Sequence, residues 1–378
     1  MIFRPLVGRL CLAAYPFARA SANLERARQY NGQVIDAHTI AAVMTDLGEP
    51  PYRARQVYEA LTRGLAVDFD GMTSLPAALR RALAERLRPL SLGDVETRTA
   101  PRGTARKTLF VTADGHPVEA VLMTYAKRAT VCVSTQVGCA VGCAFCASGR
   151  LGLRRDLTAE EMVDQVFHFA RLLRDEERRV TNVVFMGMGE PFHNYDETLR
   201  ACRLLNDESG FNLAARSISV STVGVVPGID RFAEEDLQLN LAVSLHAATD
   251  AVRDRLVPLN RTYPLDEVFA ACARYARRTH RKVLFEYVVL RGVNDTDEQA
   301  QMLAARVRPP HYHLNLIAYN ETGGDGEFAR PRADQLAALH ARLEAAGVSC
   351  TVRRSPGAEI EAACGQLALR YSETAPQP

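Results

Sequence analysis

Cys139, Cys143 and Cys146 lie with three and two residues between them in the stretch Gln136-Val137-Gly138-Cys139-Ala140-Val141-Gly142-Cys143-Ala144-Phe145-Cys146-Ala147. Three thiolates this close can hold three corners of a cubic iron–sulfur cluster and leave the fourth iron without a protein ligand. An open iron is a coordination site for a small molecule, so the spacing points to catalysis more than to electron storage. A closed structural zinc site is the alternative, but it needs a fourth Cys or His nearby. The next His downstream, His168, falls inside a helical pattern.

A second candidate is the turn Gly187-Met188-Gly189-Glu190-Pro191. It is not a dinucleotide fingerprint, because the third Gly is missing and Glu190-Pro191 cannot open a helix in that register. Its glycines let the backbone approach a ligand closely, and Glu190 offers a carboxylate to an ammonium group. Taken alone, the motif also reads as an ordinary strand-end turn.

The elements that must position these residues follow from hydrophobic periodicity. Residues 33–92 read as a small helical accessory domain with segments at 36–48, 52–63 and 75–87. Residues 93–129 change to strand character, with Asp114-Gly115 marking a β-hairpin. From 130 to 370 strand and helix alternate. Strands are expected at 131–135, 182–186, 217–222, 239–245, 283–289 and 313–318. Helices are expected at 158–174, 196–206, 227–235, 264–278, 295–306 and 332–346. Six β-then-α units imply an α/β fold with a parallel sheet, open or a partial (β/α)6 barrel, and chemistry gathered at the C-terminal strand ends. The cysteine triplet follows the first of these strands directly.

A chain of 378 residues suits such a domain plus an accessory module. A net charge of +2 does not by itself announce a nucleic-acid partner, and no apolar run is long enough to cross a bilayer. The cysteines are too unevenly placed for a secreted disulfide scaffold, and thiolate ligands need a reducing compartment, so a cytoplasmic protein is expected. Arg4 and Arg9 interrupt the apolar part of the N-terminus, so residues 1–32 read as a flexible extension rather than a secretory signal. Residues 371–378 read as a disordered tail.

The triplet and the Gly-Met-Gly-Glu-Pro turn together resemble the radical S-adenosylmethionine (SAM) superfamily. The stretches Asn182–Asn194, Ser219–Pro227, Leu241–Ala247, Phe285–Leu290, Leu314–Asn320 and Ala362–Leu367, with Gly48–Tyr58 near the N-terminus, resemble the RlmN/Cfr family of RNA adenine methyltransferases. Coverage runs from about residue 36 to 369. One departure from the superfamily pattern is Met188, which stands where a second Gly is usual.

The resemblance implies a radical-SAM partial barrel, a [4Fe-4S] cluster on Cys139, Cys143 and Cys146, and two SAM molecules per turnover. It implies that Gly189, Glu190, Ser221, Ser244, Leu245, His246 and Asn320 contact SAM. Cys364 would receive a methyl group from the first SAM by displacement. The second SAM would be cleaved reductively to a 5′-deoxyadenosyl radical that removes hydrogen from that methyl, and the carbon radical would add to adenine. Glu119 would accept the ring proton, and Cys132 would resolve the adduct by forming a disulfide with Cys364. Without the resemblance, Glu119 reads as a solvated strand-face residue, His246 as a core histidine, and Cys132 and Cys364 as small hydrophobes.

The implied product is 2-methyladenosine in 23S ribosomal RNA at position 2503, and at position 37 of some transfer RNAs. A reducing donor such as flavodoxin and a monomeric state are expected. A Cfr-like paralogue acting on carbon 8 would retain the same residues. A non-enzymatic iron–sulfur protein, RNA-binding or redox-sensing, is the alternative of another class. Basic residues at Arg53/Arg55, Lys127/Arg128, Arg154/Arg155, Arg277–Lys282 and Arg353/Arg354 could supply sequence-independent RNA affinity, although each cluster also reads as a solvated face.

Overall fold

Ten strands form one mixed sheet in the computed structural model, which describes residues 33–34, 36–322, 327–354 and 356–367. The extension 1–32 and the tail 371–378 lie outside the described residues. The strands are β1 Leu92–Thr99, β2 Ala105–Thr112, β3 Pro117–Thr124, β4 Ala129–Cys132, β5 Asn182–Phe185, β6 Ile218–Thr222, β7 Asn240–Ser244, β8 Val283–Val289, β9 Tyr312–Ala318 and β10 Cys350–Arg353. Their order across the sheet is their order along the chain. β1 to β4 pair antiparallel, and β4 to β10 pair parallel.

All six strands expected in the alternating region are present. Two features extend the expectation. β10 adds a seventh parallel strand, and the expected hairpin is a three-stranded antiparallel run continuous with the main sheet through the β3–β4 pairing. A helix at Asp250–Leu256 was likewise not expected.

The parallel strands alternate by face, as a pleated strand must. Val183, Phe185, Ile218, Val220, Leu241, Val243, Phe285, Tyr287, Leu314 and Leu316 enter one apolar core with the helices that cover the sheet. The intervening residues face the concave side. Among these helices, Ala159–Arg174 starts at a capping box in which the Thr158 hydroxyl accepts from Glu161 N–H and the Glu161 carboxylate accepts from Thr158 N–H.

The N-terminal helices Ala37–Asp46, Pro51–Thr62 and Ala77–Arg86 enclose a core of their own, including Ile40, Met44, Val57, Leu61, Leu79 and Leu83. Polar contacts fix this unit to the barrel. Tyr58 OH donates to Asp207 Oδ2 at 2.6 Å, and Arg63 Nε donates to Gly210 O at 3.0 Å.

The linker into β1 is held by Asp164, whose buried Oδ2 accepts from the Ser91 and Leu92 backbone N–H groups. Burial raises the Asp164 pKa to about 6, against the pull of Arg171 and those N–H groups. The folded state therefore holds this proton above the pH at which the unfolded chain releases it. The resulting stability contribution is present below the ordinary Asp range and is lost as pH rises toward 6. Asp164→Asn keeps an oxygen for both N–H donors without the buried charge. It is expected to flatten the fall in thermal stability between about pH 4 and pH 6, measured as Tm against pH.

Candidate functional site

The concave face closes over one cavity. Cys132 from β4, Val184 from β5, Ser221 from β6, Ser244 from β7, Glu286 and Val288 from β8, Ile317 from β9 and Arg353 from β10 line it. Register explains the company these residues keep. Cys132 pairs with Val121 on one side and Val184 on the other, Ser244 pairs with Glu286, and Glu286 pairs with Asn315.

The cysteine loop enters at Gly138, whose φ of +80° suits glycine and where a Cβ would overlap Gly152 O. Cys139 N–H donates to Gly152 O at 3.2 Å, and Ala144 N–H donates to Leu256 O at 3.0 Å. Cys139, Cys143 and Cys146 are free thiols that all line the cavity. Burial pushes Cys139 up to about 11 and Cys143 well above the usual thiol range, and neighbouring thiols push in the same direction.

The turn after β5 is fastened to this loop. Thr135 N–H donates to Met188 O at 2.8 Å, Met188 N–H donates to Ser134 Oγ at 2.8 Å, and Glu190 N–H donates to Gln136 Oε1 at 2.9 Å. Gly189 has φ +101°, and a Cβ there would come within 2.6 Å of Gln136 Cβ. The unexpected Met188 has a packing role. It is fully buried and clusters with Val121, Ala362 and Leu367, the last two flanking Cys364.

Glu190 is buried, with Oε1 accepting from Phe192 N–H at 3.0 Å and Oε2 from Val223 N–H at 2.8 Å. Burial raises its pKa to about 7 despite those donors, so a cationic ligand would relieve its desolvation. Ser221 Oγ lies 3.5 Å from Ser244 Oγ. His246 has φ +57°, its Nδ1 accepts from Val288 N–H at 3.0 Å, and its ring meets Phe145 edge-on at 4.7 Å. Burial lowers its pKa to about 3, so it is neutral with the proton on Nε2. It is thus a satisfied buried histidine that also lines the cavity.

Cys364 sits on a turn locked to the cysteine loop. Ala147 N–H donates to Gly365 O at 2.9 Å, and Ser148 Oγ donates to Leu367 O at 2.6 Å. The thiol is accessible, but the space it faces is the cavity. The surrounding protein still pushes its pKa up to about 12, with Cys146 and Glu286 adding to the rise and Arg353 opposing it. Cys132 is half-buried in the same cavity and is also pushed up to about 12, first by burial and then by Cys364.

Glu119, Leu245 and Asn320 do not line the cavity defined by the described residues. Glu119 is fully buried 3.0 Å from Lys107 Nζ, which corrects the solvated strand-face reading. The Leu245 side chain belongs to the apolar core, and its backbone N–H donates to Glu286 O at 2.9 Å. Asn320 is buried. Its Oδ1 accepts from Arg330 Nη1 at 2.8 Å, whereas Nδ2 has no partner among the described residues.

Of three charged residues at the site, Arg253 and Glu286 give no sequence signal and Arg353 reads in the sequence only as part of a basic cluster. Arg253 is buried behind the strand ends, with Nε donating to Leu245 O at 3.0 Å, Nη1 to Asn260 Oδ1 at 2.9 Å and Nη2 to Val223 O at 2.5 Å. Glu286 accepts from Asn315 Nδ2 at 2.9 Å and from Arg353 Nη1 at 3.2 Å. Arg353 therefore lines the cavity in an ion pair rather than forming part of a solvated basic face. Arg155, from another expected basic cluster, is engaged by Asp114 and Glu161.

A seven-strand parallel half-barrel, with a three-cysteine loop at its first parallel strand and a glycine turn clasped to it, defines a radical SAM protein. The model of the radical SAM superfamily matches residues 133–304, and that of the ribosomal RNA large subunit methyltransferase N-terminal domain matches residues 34–88. The chain is 46% identical to a probable dual-specificity RNA methyltransferase RlmN of Chloroflexus aurantiacus, over 88% of this chain and 91% of that one. It is 47% identical to a protein of the same description from Parafrankia sp., over 86% of this chain and 88% of that one. The crystal structure of a radical SAM methyltransferase from Sphaerobacter thermophilus superposes with TM-score 0.86 at 50% identity, covering 88% of this chain and 97% of that one. The chain belongs to the RlmN family of radical SAM RNA methyltransferases.

Membership implies a [4Fe-4S] cluster and SAM, and the residues present suit both. Three free thiols face one cavity, where burial disfavours bare thiolates unless a cationic centre compensates them. Among the described residues no three His, Cys, Asp or Glu side chains are grouped to hold a single metal ion. Gly189 admits no side chain, because Gln136 and Thr135 pack against it and hold the turn close to the cysteine loop, and Asn320 Nδ2 is a buried donor lacking an acceptor among the described residues. Gly189→Ala is expected to push the turn after β5 away from Gln136 and the cysteine loop. The iron and sulfide content of anaerobically purified protein should fall while its far-ultraviolet circular dichroism is kept.

Proposed function

We propose that this protein methylates carbon 2 of an adenine in 23S ribosomal RNA, and in some transfer RNAs, through a methyl group carried on Cys364 and resolved by Cys132. The observation that carries this reading is the opening of Cys132, Cys364 and the three loop cysteines into one cavity. The relatives' description as dual-specificity RNA methyltransferases supports the choice of substrate. When bound, the cluster and two SAM molecules per turnover supply an electron, the methyl group and the hydrogen-abstracting fragment.

The chain's own residues then have distinct duties. Gly189 and Glu190 receive the SAM ammonium, Ser221, Ser244 and His246 hold its polar groups, and Asn320 Nδ2 donates to its adenine. Cys364 must act as a thiolate to accept a methyl group, and Arg353 is the cation that favours that form. The ring hydrogen would leave as a proton to Glu119, and the adduct's unpaired electron would return to the bound cluster. The Cys132 thiolate would then attack the Cys364 sulfur and close a disulfide, while the product carbon leaves with the carbon–sulfur electron pair and takes up a proton to become the methyl group.

RNA would approach over the cavity mouth, where Tyr125 lines the wall and carries the Arg128 guanidinium 4.5 Å from its ring centroid. On the N-terminal unit, Tyr52 is 52% exposed with Arg53 5.2 Å from its ring centroid, a surface suited to an unstacked base. No described helix is long and apolar enough to cross a membrane. A monomer working in the cytoplasm with a donor such as flavodoxin completes the reading.

Nucleoside mass spectrometry of RNA from a deletion strain, with methyladenosine isomers separated, tests the product. Loss of 2-methyladenosine supports the proposal, and loss of the 8-methyl isomer instead identifies a carbon-8 enzyme. Cys364→Ala is expected to keep the cluster and abolish methyl transfer, whereas Cys132→Ala should accumulate a protein–RNA adduct visible by denaturing electrophoresis. Normal turnover by either variant refutes the assigned pair.

A further inference from the structure

Burying a lysine is costly unless polar groups meet its ammonium, and Lys107, with 1% exposure, is met from two directions. Nζ lies 3.0 Å from Glu119 Oε1 and donates to Glu361 O at 3.2 Å. Lys107 is paired across the β2–β3 ladder with Val121, which pairs in turn with Cys132, so Lys107 shares the concave side of the sheet with the cavity wall. Glu119 stands two residues before Val121 and therefore on that same side. Glu361 belongs to the tight turn that leads to Cys364. There Gly357 has φ +88°, its carbonyl accepts from Ala362 N–H at 2.8 Å, and a Cβ on it would come within 2.8 Å of Ala105 Cβ. One ammonium thus bridges the carboxylate on β3 and the backbone beside Cys364.

We propose that Lys107 is a positioning residue that holds Glu119 and the Cys364 turn in one fixed relation while the nucleobase is covalently attached. This rests on the reading in which Glu119 takes the ring proton and Cys364 carries the methyl group. Displacement of a methyl group onto Cys364 requires no base at Glu119, whereas removal of the ring proton requires the carboxylate to be held at a set place. Loss of Lys107 therefore acts on the second stage and spares the first.

The test uses full-length reconstituted enzyme in single turnover with substrate RNA, reading methylation of the Cys364 peptide by mass spectrometry and decay of the protein–RNA adduct. Lys107→Met is expected to methylate Cys364 normally and to slow adduct decay about 100-fold, the scale on which small misplacements of reacting groups act. Lys107→Arg should restore part of the rate, and hydrogen exchange across residues 358–364 should be faster in Lys107→Met than in Glu119→Gln. The double variant Lys107→Met/Glu119→Gln should decay no more slowly than Glu119→Gln alone, because two residues acting through one step are not additive. The double variant also leaves neither charge buried, so it decides the matter if Lys107→Met does not fold. Adduct decay at the wild-type rate in Lys107→Met, with Glu119→Gln slow, overturns the role of Lys107 and leaves the function intact. A double variant much slower than Glu119→Gln, or Cys364 methylation lost in step with adduct decay, also overturns it. Wild-type decay in Glu119→Gln refutes the assignment of the base itself.

Discussion

Alternation of side chains along the parallel strands is the constraint on which the site depends. Each strand from β4 to β9 sends one set of residues into the helix-covered core and the other into the cavity. Slipping any strand by one residue would exchange the sets, sending Ser244 or Glu286 into the core and Val243 or Phe285 into the cavity. The apolar set therefore fixes the register, and the register places the chemistry. Cys132 faces the cavity because Val131 and Val133 are claimed by the core.

The pleat alone does not bring the remote parts together. Cys364 follows the last strand and Cys146 the first parallel one, yet Ala147 and Ser148 hydrogen-bond directly to Gly365 and Leu367. Met188 adds an apolar contact from the third partner, packing with Ala362 and Leu367. The loop that would carry the cluster, the turn that would bind SAM and the turn of Cys364 thus form one body. A shift in one is passed to the others through short backbone contacts at Thr135, Gln136 and Ala147.

The parts with strong periodicity or a fixed cysteine spacing were legible in the sequence. The six central strands and the helices between them announce themselves through runs such as Val283-Leu284-Phe285-Glu286-Tyr287-Val288-Val289. β10 does not, because Cys350-Thr351-Val352-Arg353 is a short edge strand with little apolar pattern, and Val352 is 41% exposed. β1 is obscured by its acidic residues and by a register shift between Asp94 and Glu96. Charged residues were the hardest to place. Lys107, Arg253 and Glu286 look like surface residues in one dimension, but the pleat turns Lys107 and Glu286 inward and the helix Asp250–Leu256 carries Arg253 to the strand ends. Their burial is a tertiary fact with no local signature.

These buried charges are hard to explain by stability. Apolar residues of similar volume commonly stabilise a fold as well as a buried ion pair does, whereas removing one partner of a pair costs about 3–5 kcal/mol. Arg253 shows what the charge supplies instead. Its guanidinium bonds the carbonyls of Val223, Ser244 and Leu245, which lie at the ends of β6 and β7 where the regular ladder stops. An apolar side chain could fill that space but could not hold those carbonyls, and the loop carrying His246 in its left-handed conformation would be left to its other bonds, among them those to Val288 N–H and Asn294 Nδ2. Fixing strand ends demands directional bonds, and a buried multi-donor cation supplies several of them from one residue.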